Sequence, residues 1–309
     1  MEMLITILSA AVRSGTPILY ATLGEILTEK SGVLNLGLEG IMLIGAFTGF
    51  SVTYSTGNPW LGVLAAFIAG MCFTLIHAFL SITMGANQVV SGLALTMTGT
   101  GATSLLGRHY IGETIKGFSI TPVPYLSDIP FFGPVLFDHD VLVYLSFLFV
   151  FVLAFFLNHT RFGLNLRAVG DSPGSADAAG LNVQKIRYIY TVIGGGIVAI
   201  GGAYMSVAYT KMWGDLMTAG RGWIAIALVI FAIWHPARAA FGAYLFGGVT
   251  AFQLRLQTAG TNMSAPLLMT LPYVLTIMVL FFISVRQGKG ILFGSPAGLG
   301  QPYYREERE

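Results

Sequence analysis

The chain alternates between long apolar runs and short polar interruptions. Runs bounded by Gly, Pro and charge cover Met3–Leu27, Val33–Thr53, Trp60–Met84, Asn87–Leu106, Val141–Leu157, Tyr188–Tyr209, Trp223–Ile233, Ala239–Leu256 and Leu267–Val285. Most approach the ~20 apolar residues that one helix needs to cross a bilayer. No Asp, Glu, Lys or Arg occurs between Gly40 and Gly107, a window long enough for about three such helices. Lipid offers the backbone no hydrogen-bond partner, so these runs predict α-helices, and the alternation of barrel strands is not seen. Trp223–Ile233 is short for a full span and reads as half-buried or re-entrant. The pattern predicts an all-α, polytopic membrane protein with about nine (eight to ten) transmembrane helices, broken or re-entrant segments among them. Residues 1–309 form one transmembrane domain, with a cytoplasmic loop at 158–187 inside it.

Composition agrees. The 309 residues are 55% hydrophobic and only 10% charged, with mean hydropathy +0.75, whereas soluble domains carry roughly 25% charged residues. A net charge of +2 is too small to suggest a nucleic-acid partner. Cys72 is the single cysteine, so one chain can form neither a disulfide nor a multi-thiolate metal site. The histidines (His77, His109, His139, His159 and His235) form no HxxxH or similar pair. The N-terminus lacks a basic n-region and a small-residue cleavage site, and reads as a helix that stays.

Lys and Arg collect on the cytoplasmic side of membrane proteins. The Asn158–Arg187 loop carries Arg161, Arg167, Lys185 and Arg187 against Asp171 and Asp177, and the tail carries Arg286, Lys289, Arg305 and Arg308. The Arg108–Asp140 loop is acidic, with Glu113, Asp128, Asp138 and Asp140 against Arg108 and Lys116. This places the first loop and the C-terminus in the cytoplasm, Arg108–Asp140 outside, and, counting back, the N-terminus outside. Glycine is abundant at 39 residues, and helix packing is its default role in lipid, where small residues permit close approach.

Candidate chemistry concentrates in GEILTEKSGVLNLGLEG, Gly24–Gly40. Asn35 and Glu39 are four apart and would share a helix face, while Gly32 and Gly37 make the backbone easy to break. A carboxylate near hydrocarbon costs on the order of 2.5–3.5 kcal/mol unless paired or wet. Glu25 and Glu39 are therefore candidates for a broken helix beside a water-filled path, whereas Glu29 and Lys30 read as interfacial. Asn87, Gln88 and Ser91 open a second polar cluster that caps a helix or binds a polar solute; its Thr residues bond the preceding turn. Gln253, Arg255 and Gln257 pose the same question, with Arg255 able to snorkel to the interface. In the 158–187 loop, Asp171-Ser172-Pro173-Gly174 predicts a turn. A short helix Ser175–Ala179 then ends at Gly180, with Ser172 or Ser175 as cap. Such a helix has no core of its own and needs a groove on another protein if it is ordered. No G-x-x-x-x-G-K-[ST] phosphate loop occurs; Gly288-Lys289-Gly290 does not match it. Any uphill work must draw on a partner or an ion gradient.

The runs GVLNLGLEGIMLIGA (Gly32–Ala46), ANQVVSGLAL (Ala86–Leu95), LRAVGDSPGSADAAGLNVQKIRY (Leu166–Tyr188) and GRGWIAIALVIFAIWHPARAAFGAYLFGG (Gly220–Gly248), with QLRLQ (Gln253–Gln257), resemble a bacterial ABC-transporter permease. The branch serves sugars, nucleosides and branched-chain amino acids; NLGLEG, NQVVSGLAL and the terminal SPAGLGQPYYRE most resemble nucleoside permeases. The resemblance implies an importer subunit of the bacterial cell membrane without catalytic activity. It implies a second homologous permease chain and a cytoplasmic ATP-binding subunit with two nucleotide-binding halves, which carries the ATP and Mg. It also implies an extracytoplasmic solute-binding lipoprotein, and no cofactor bound by this chain. Asp171, Ser175, Asp177, Ala178, Ala179 and Gly180 would form the coupling helix and its surroundings. Glu25, Asn35, Glu39, Asn87, Gln88, Ser91 and Trp223 would line the pathway or gate, with Trp223 or Phe118 stacking on a base. Sugar-type relatives carry an Asp-containing motif where this chain has Asn35–Glu39, which argues against sugar. Alternatives are a branched-chain amino acid or sugar permease, an autonomous proton-coupled secondary transporter using Glu25 or Glu39, and a scaffolding subunit.

Overall fold

The polar breaks in the sequence become the helix ends. The computed structural model describes residues 2–258, 264, 267, 268, 270–287 and 294–305; Lys289 and Arg308 of the basic tail, and the Gly288-Lys289-Gly290 run, lie outside them. Among the described residues these α-helices follow in order: α1 Glu2–Glu29, α2 Leu38–Thr56, α3 Pro59–Ala78, α4 Gln88–Leu106, α5 Phe132–Leu136, α6 Val141–His159, α7 Arg161–Asp171, α8 Pro173–Ala178, α9 Val183–Tyr204, α10 Arg221–Ala232, α11 Pro236–Thr258 and α12 Leu271–Gln287. Among the described residues there is no strand beyond the isolated bridges Ile111–Trp213 and Thr114–Met212. Among the described residues five segments are long and apolar enough to cross a membrane: Glu2–Glu29, Pro59–Thr83, Gln88–Tyr110, Val141–His159 and Val183–Tyr209. α3 and α9 reach these lengths through terminal π-helical turns, Phe79–Thr83 and Met205–Tyr209.

Side-chain caps mark five of the described helix starts. Asn58, Asn87, Asp140, Thr160 and Asn182 each accept a backbone N–H of the helix that follows, satisfying donors that a first turn leaves open. Several boundaries differ by a few residues from those read in the sequence, and two of them bear on function. The run beginning at Val33 stays extended until Leu38, because Gly32 adopts φ +89° and Asn35 Oδ1 turns the chain by accepting Gly37 N at 2.8 Å. The loop helix spans Pro173–Ala178 rather than Ser175–Ala179, and is preceded by α7, which sequence reading does not draw. Ser172 holds the N-cap position without capping a backbone N–H; its hydroxyl donates to Ser175 Oγ. Gly180, at φ +87°, closes α8: Gly180 N donates to Asp177 O and Leu181 N to Ala176 O, the paired bonds of a left-handed helix stop.

α1, α2 and α9 form the centre, with α3, α4, α10 and α11 packed around them. Their crossings are made by backbone. A Cβ on Gly45 would overlap Ala199, one on Gly202 the Met42 carbonyl, and one on Gly24 would stand 2.5 Å from the Gly194 carbonyl. Close approach through small residues supplies packing where lipid removes the hydrophobic drive. The two ends of α9 define the two ends of the molecule. Beside its start lie α7, α8 and the 294–305 segment, tied by Gly298 N to Gly170 O and Arg187 Nη1 to Gln301 O. Beside its far end lies the acidic 108–140 segment, with Ile115 N donating to Lys211 O and Phe118 N to Val207 O. The basic loop and the described part of the basic tail thus share one end, opposite the acidic loop.

Gly45→Val should lower stability by about 1–3 kcal/mol or more, the usual penalty of overpacking. Unfolding of the detergent-solubilised variant at unchanged temperature would show that this crossing tolerates bulk.

Candidate functional site: a helix junction and the cavity beside it

α10 has 12 residues, about 18 Å at 1.5 Å per residue, against a hydrocarbon core of ~30 Å. It starts inside the protein. The chain leaves α9 at Tyr209, passes through non-helical residues 210–220, and enters α10 at Arg221. Glycine-like backbone at Lys211, Leu216 and Ala219, all with positive φ, marks this stretch. α10 ends at left-handed Ile233 and Trp234, back beside the C-terminus of α1.

Four N–H groups at a helix start lack partners, and α10 starts where water is scarce. Glu39 meets this need. Its Oε1 accepts Gly220 N at 2.9 Å and Thr218 Oγ1 at 2.5 Å, and its Oε2 accepts Gly222 N at 2.7 Å. Glu39 lies in the first turn of α2, so two helix N-termini converge on one carboxylate, the charge each dipole favours. Gly222 must be glycine, because an added Cβ would lie 2.5 Å from Glu39 N.

The extended stretch before α2 is held just as closely. Leu34 N donates to Gln88 Oε1 at 2.7 Å, Leu34 O meets His77 Nε2 at 3.1 Å, and His77 Nδ1 meets Ser91 Oγ at 3.0 Å. Asn35 N donates to Glu25 Oε1 at 3.1 Å. Thr96 Oγ1 donates to Leu36 O at 3.1 Å. Asn87 caps α4 through Val90 N, the capping role of the two open to it. Glu25, Asn35, Gln88 and Ser91 therefore hold the break between α1 and α2 in place.

Glu29 differs from its reading as an interfacial residue. Glu29 is 2% exposed and its Oε2 accepts Trp234 Nε1 at 2.5 Å, tying the end of α1 to the end of α10. Lys30, just beyond α1, donates to Gly294 O at 3.1 Å and stands 5.9 Å from the centre of the Trp234 ring. Burial pulls its ammonium below the ordinary value, with Asp171 opposing.

A cavity of about 520 Å³ opens beside the α10 start, lined by Arg221, Ile224, Thr250, Gln253, Pro272 and Tyr273 among others. That volume falls in the range of small-molecule sites. Its apolar walls carry a few convergent polar groups: the Arg221 guanidinium, the Thr250 hydroxyl, the Gln253 amide and the Tyr273 phenol. Arg221 Nη1 is anchored on Thr218 O at 3.1 Å, and a Cβ on Gly220 would stand 2.6 Å from the Tyr273 hydroxyl. Of these, sequence reading named only Gln253. Thr250 and Tyr273 carry no motif; Arg221 lies in the run Gly220–Gly248, and its charge at the head of a short apolar run is the available signal. Trp223 is exposed and is not among the lining residues. Phe118 is buried at the far end, edge-on to Trp60 with ring centres 4.9 Å apart, so it is removed from this cavity.

Ser175 and Ala178 of α8 are exposed, as are Ala179 and Gly180 just after it and Asp171 just before it. Ala176 points inward to Val169 and Val183, and Asp177 pairs with Arg305 at 3.4 Å.

The family model described as branched-chain amino acid transport system / permease component matches residues 7–283. The "Putative glucose ABC transporter permease protein TsgC13" of Haloferax volcanii is 42% identical, over 97% of this chain and 98% of its own. The guanosine ABC transporter permease NupQ of Bacillus subtilis is 35% identical over 99% of both chains, and that organism has a second guanosine permease, NupP, 24% identical over 71% of this chain and 66% of its own. The nucleoside ABC transporter permease NupC of Lactococcus lactis is 34% identical over 86% of this chain and 88% of its own. The glucose-named relative has the higher identity, so the sequence argument against sugar does not decide the cargo.

Glu39→Ala would orphan three donors and Glu29→Ala one, at about 1–3 kcal/mol per buried group. Glu39→Ala should destabilise the purified protein more in denaturant unfolding; equal losses would mean the α2–α10 junction carries no special weight.

Proposed function

The chain belongs to the family of branched-chain amino acid transport system permease components, and from that membership we propose that it is a transmembrane subunit of an ATP-driven importer, forming the translocation path for nucleosides. Its relatives are ABC permeases of the sugar and nucleoside branch. The observation that carries the cargo class is the occupied helix start beside the cavity. Discontinuous helices in transporters commonly aim free N–H groups at an anionic solute. Here Glu39 already takes the Gly220 and Gly222 donors, and its charge lies beside Arg221. A carboxylate-bearing amino acid would find no free helix end there, because Glu39 holds those donors. An uncharged solute rich in hydroxyl and amide groups suits Arg221, Thr250, Gln253 and Tyr273. A nucleoside has that chemistry and fits the volume. The second reading is glucose, favoured by the 42% identical relative.

In this reading the end bearing α8 is cytoplasmic, the acidic 108–140 loop faces outside, and the chain sits in the cell membrane. Residues 210–220 with α10 make one broken crossing, and with α2, α11 and α12 the total is about nine. A second permease chain completes the path; two guanosine permeases in one organism support a heterodimer. ATP and Mg belong to a cytoplasmic subunit with two nucleotide-binding halves, and an extracytoplasmic lipoprotein delivers the solute. The exposed small residues of α8 form the coupling contact with the ATPase, and Glu25, Asn35, Glu39, Asn87, Gln88 and Ser91 fix the gate's frame.

The assembled complex, reconstituted in vesicles, should take up guanosine, adenosine or uridine with ATP inside. Uptake of glucose alone would select the second reading; uptake of leucine, or proton-driven uptake by this chain without an ATPase, would overturn the proposal. Ala179→Trp should leave the chain inserted while reducing uptake at least about tenfold, ~1.4 kcal/mol of lost coupling, with ATP hydrolysis continuing. Normal coupled uptake would remove α8 from this role.

A further inference from the structure

The stretch Gly294–Arg305 contains neither helix nor strand, yet it binds the elements gathered at the α8 end. Gly298 N donates to Gly170 O at 2.9 Å and Gly300 N to Gly32 O at 3.1 Å. In return, Lys30 Nζ reaches Gly294 O at 3.1 Å and Arg187 Nη1 reaches Gln301 O at 2.9 Å. Arg187 is 1% exposed, so this carbonyl satisfies part of a buried cation, a group that is costly to leave without partners. Tyr303 packs on the cluster of Val169, Ala176 and Val183 under α8. Arg305 Nε lies 3.4 Å from Asp177 Oδ2.

Fixing such a segment costs conformational entropy, and segments near a chain end stay poorly ordered unless tied down. This one is tied to α1, α7, α8 and α9 at once. Its outer side and the residues after α8 enclose an open pocket of about 280 Å³, walled by Asp177, Asn182, Gln184, Tyr303 and Arg305. The exposed residues of α8 adjoin it. A helix of six residues cannot by itself supply the ~800 Å² per partner of a standard protein interface. The fixed surface nearest α8 that could supply the remainder is this segment and its pocket.

We propose that Gly294–Arg305 is the second half of the docking surface for the cytoplasmic ATP-hydrolysing subunit, with the pocket beside α8 receiving a polar side chain of that partner. This rests on the reading of α8 as the coupling contact. The segment holds α8 at a set angle through Tyr303 and Arg305, and offers Gln184 and the exposed Gln301 side chain as further contacts.

Photoreactive benzoylphenylalanine in place of Ala179, Gln184 or Gln301, each separately, tests the proposal in the full complex in its membrane. All three positions are exposed, so the probe need not disturb packing. Illumination should join the ATP-hydrolysing subunit to the chain from all three. An adduct from position 179 with none from 184 and 301 would overturn the docking role of the segment while leaving α8 in place. Adducts from 184 and 301 to a second permease copy or to lipid alone would also overturn it. No adduct to the ATP-hydrolysing subunit from any position, 179 included, would instead remove the α8 reading on which the proposal stands.

Discussion

The Glu39 carboxylate is the interaction on which the rest of the arrangement depends. α10 begins inside the protein, and its open donors need an acceptor that lipid does not provide. One side chain on α2 accepts from Thr218, Gly220 and Gly222 and so makes a buried helix start feasible. Because the α10 start is fixed there, Arg221 is fixed at the cavity wall. The same carboxylate, as part of the first turn of α2, requires the preceding stretch to be non-helical. That requirement accounts for the ring of bonds from Glu25, His77, Gln88 and Thr96. A carboxylate deep in a membrane protein is thus structural: it builds the half-helix beside the cavity.

Much of the fold was legible because the bilayer restricts the answer so strongly. Every apolar run drawn from the sequence carries a helix, and the short run Trp223–Ile233 is the half-length α10. The break at Gly32–Gly37 was visible from its glycines and its density of polar residues. The partners were less legible. Glu39 was singled out as a carboxylate in hydrocarbon, but its donors lie about 180 positions away and two of them are backbone N–H groups. No side-chain pattern marks such donors. The partner of Glu29 is hidden for a similar reason, because Trp234 is distant in sequence. Thr250 and Tyr273 are ordinary helix residues whose significance comes only from facing the same space.

The α8 end shows a different division between local and distant determinants. The loop helix, its glycine stop and its exposed small residues follow from a few adjacent positions, and the sequence reading missed the boundary by only two residues. What holds that helix in place is drawn from the other terminus of the chain. The motif SPAGLGQPYYRE was noticed as a family mark, with no physical role attached. In the structure its carbonyls and amides complete bonds at Gly32, Gly170 and Arg187, and its Tyr303 ring supports Ala176.

The glycine crossings of α1, α2 and α9 carry a mechanical consequence. Side chains can change rotamer and let neighbouring helices slide; a carbonyl lodged against a glycine has no such freedom. Gly24 against Gly194, Gly45 against Ala199 and Gly202 against Met42 therefore weld three helices into one stiff wedge. Conformational cycling must leave that wedge intact and hinge around it. By the same rule α11 is locked to α1, where Gly247 meets the Ala11 carbonyl, which leaves α10, entered through the non-helical 210–220 stretch and left through the left-handed pair Ile233–Trp234, as the element with a joint at each end.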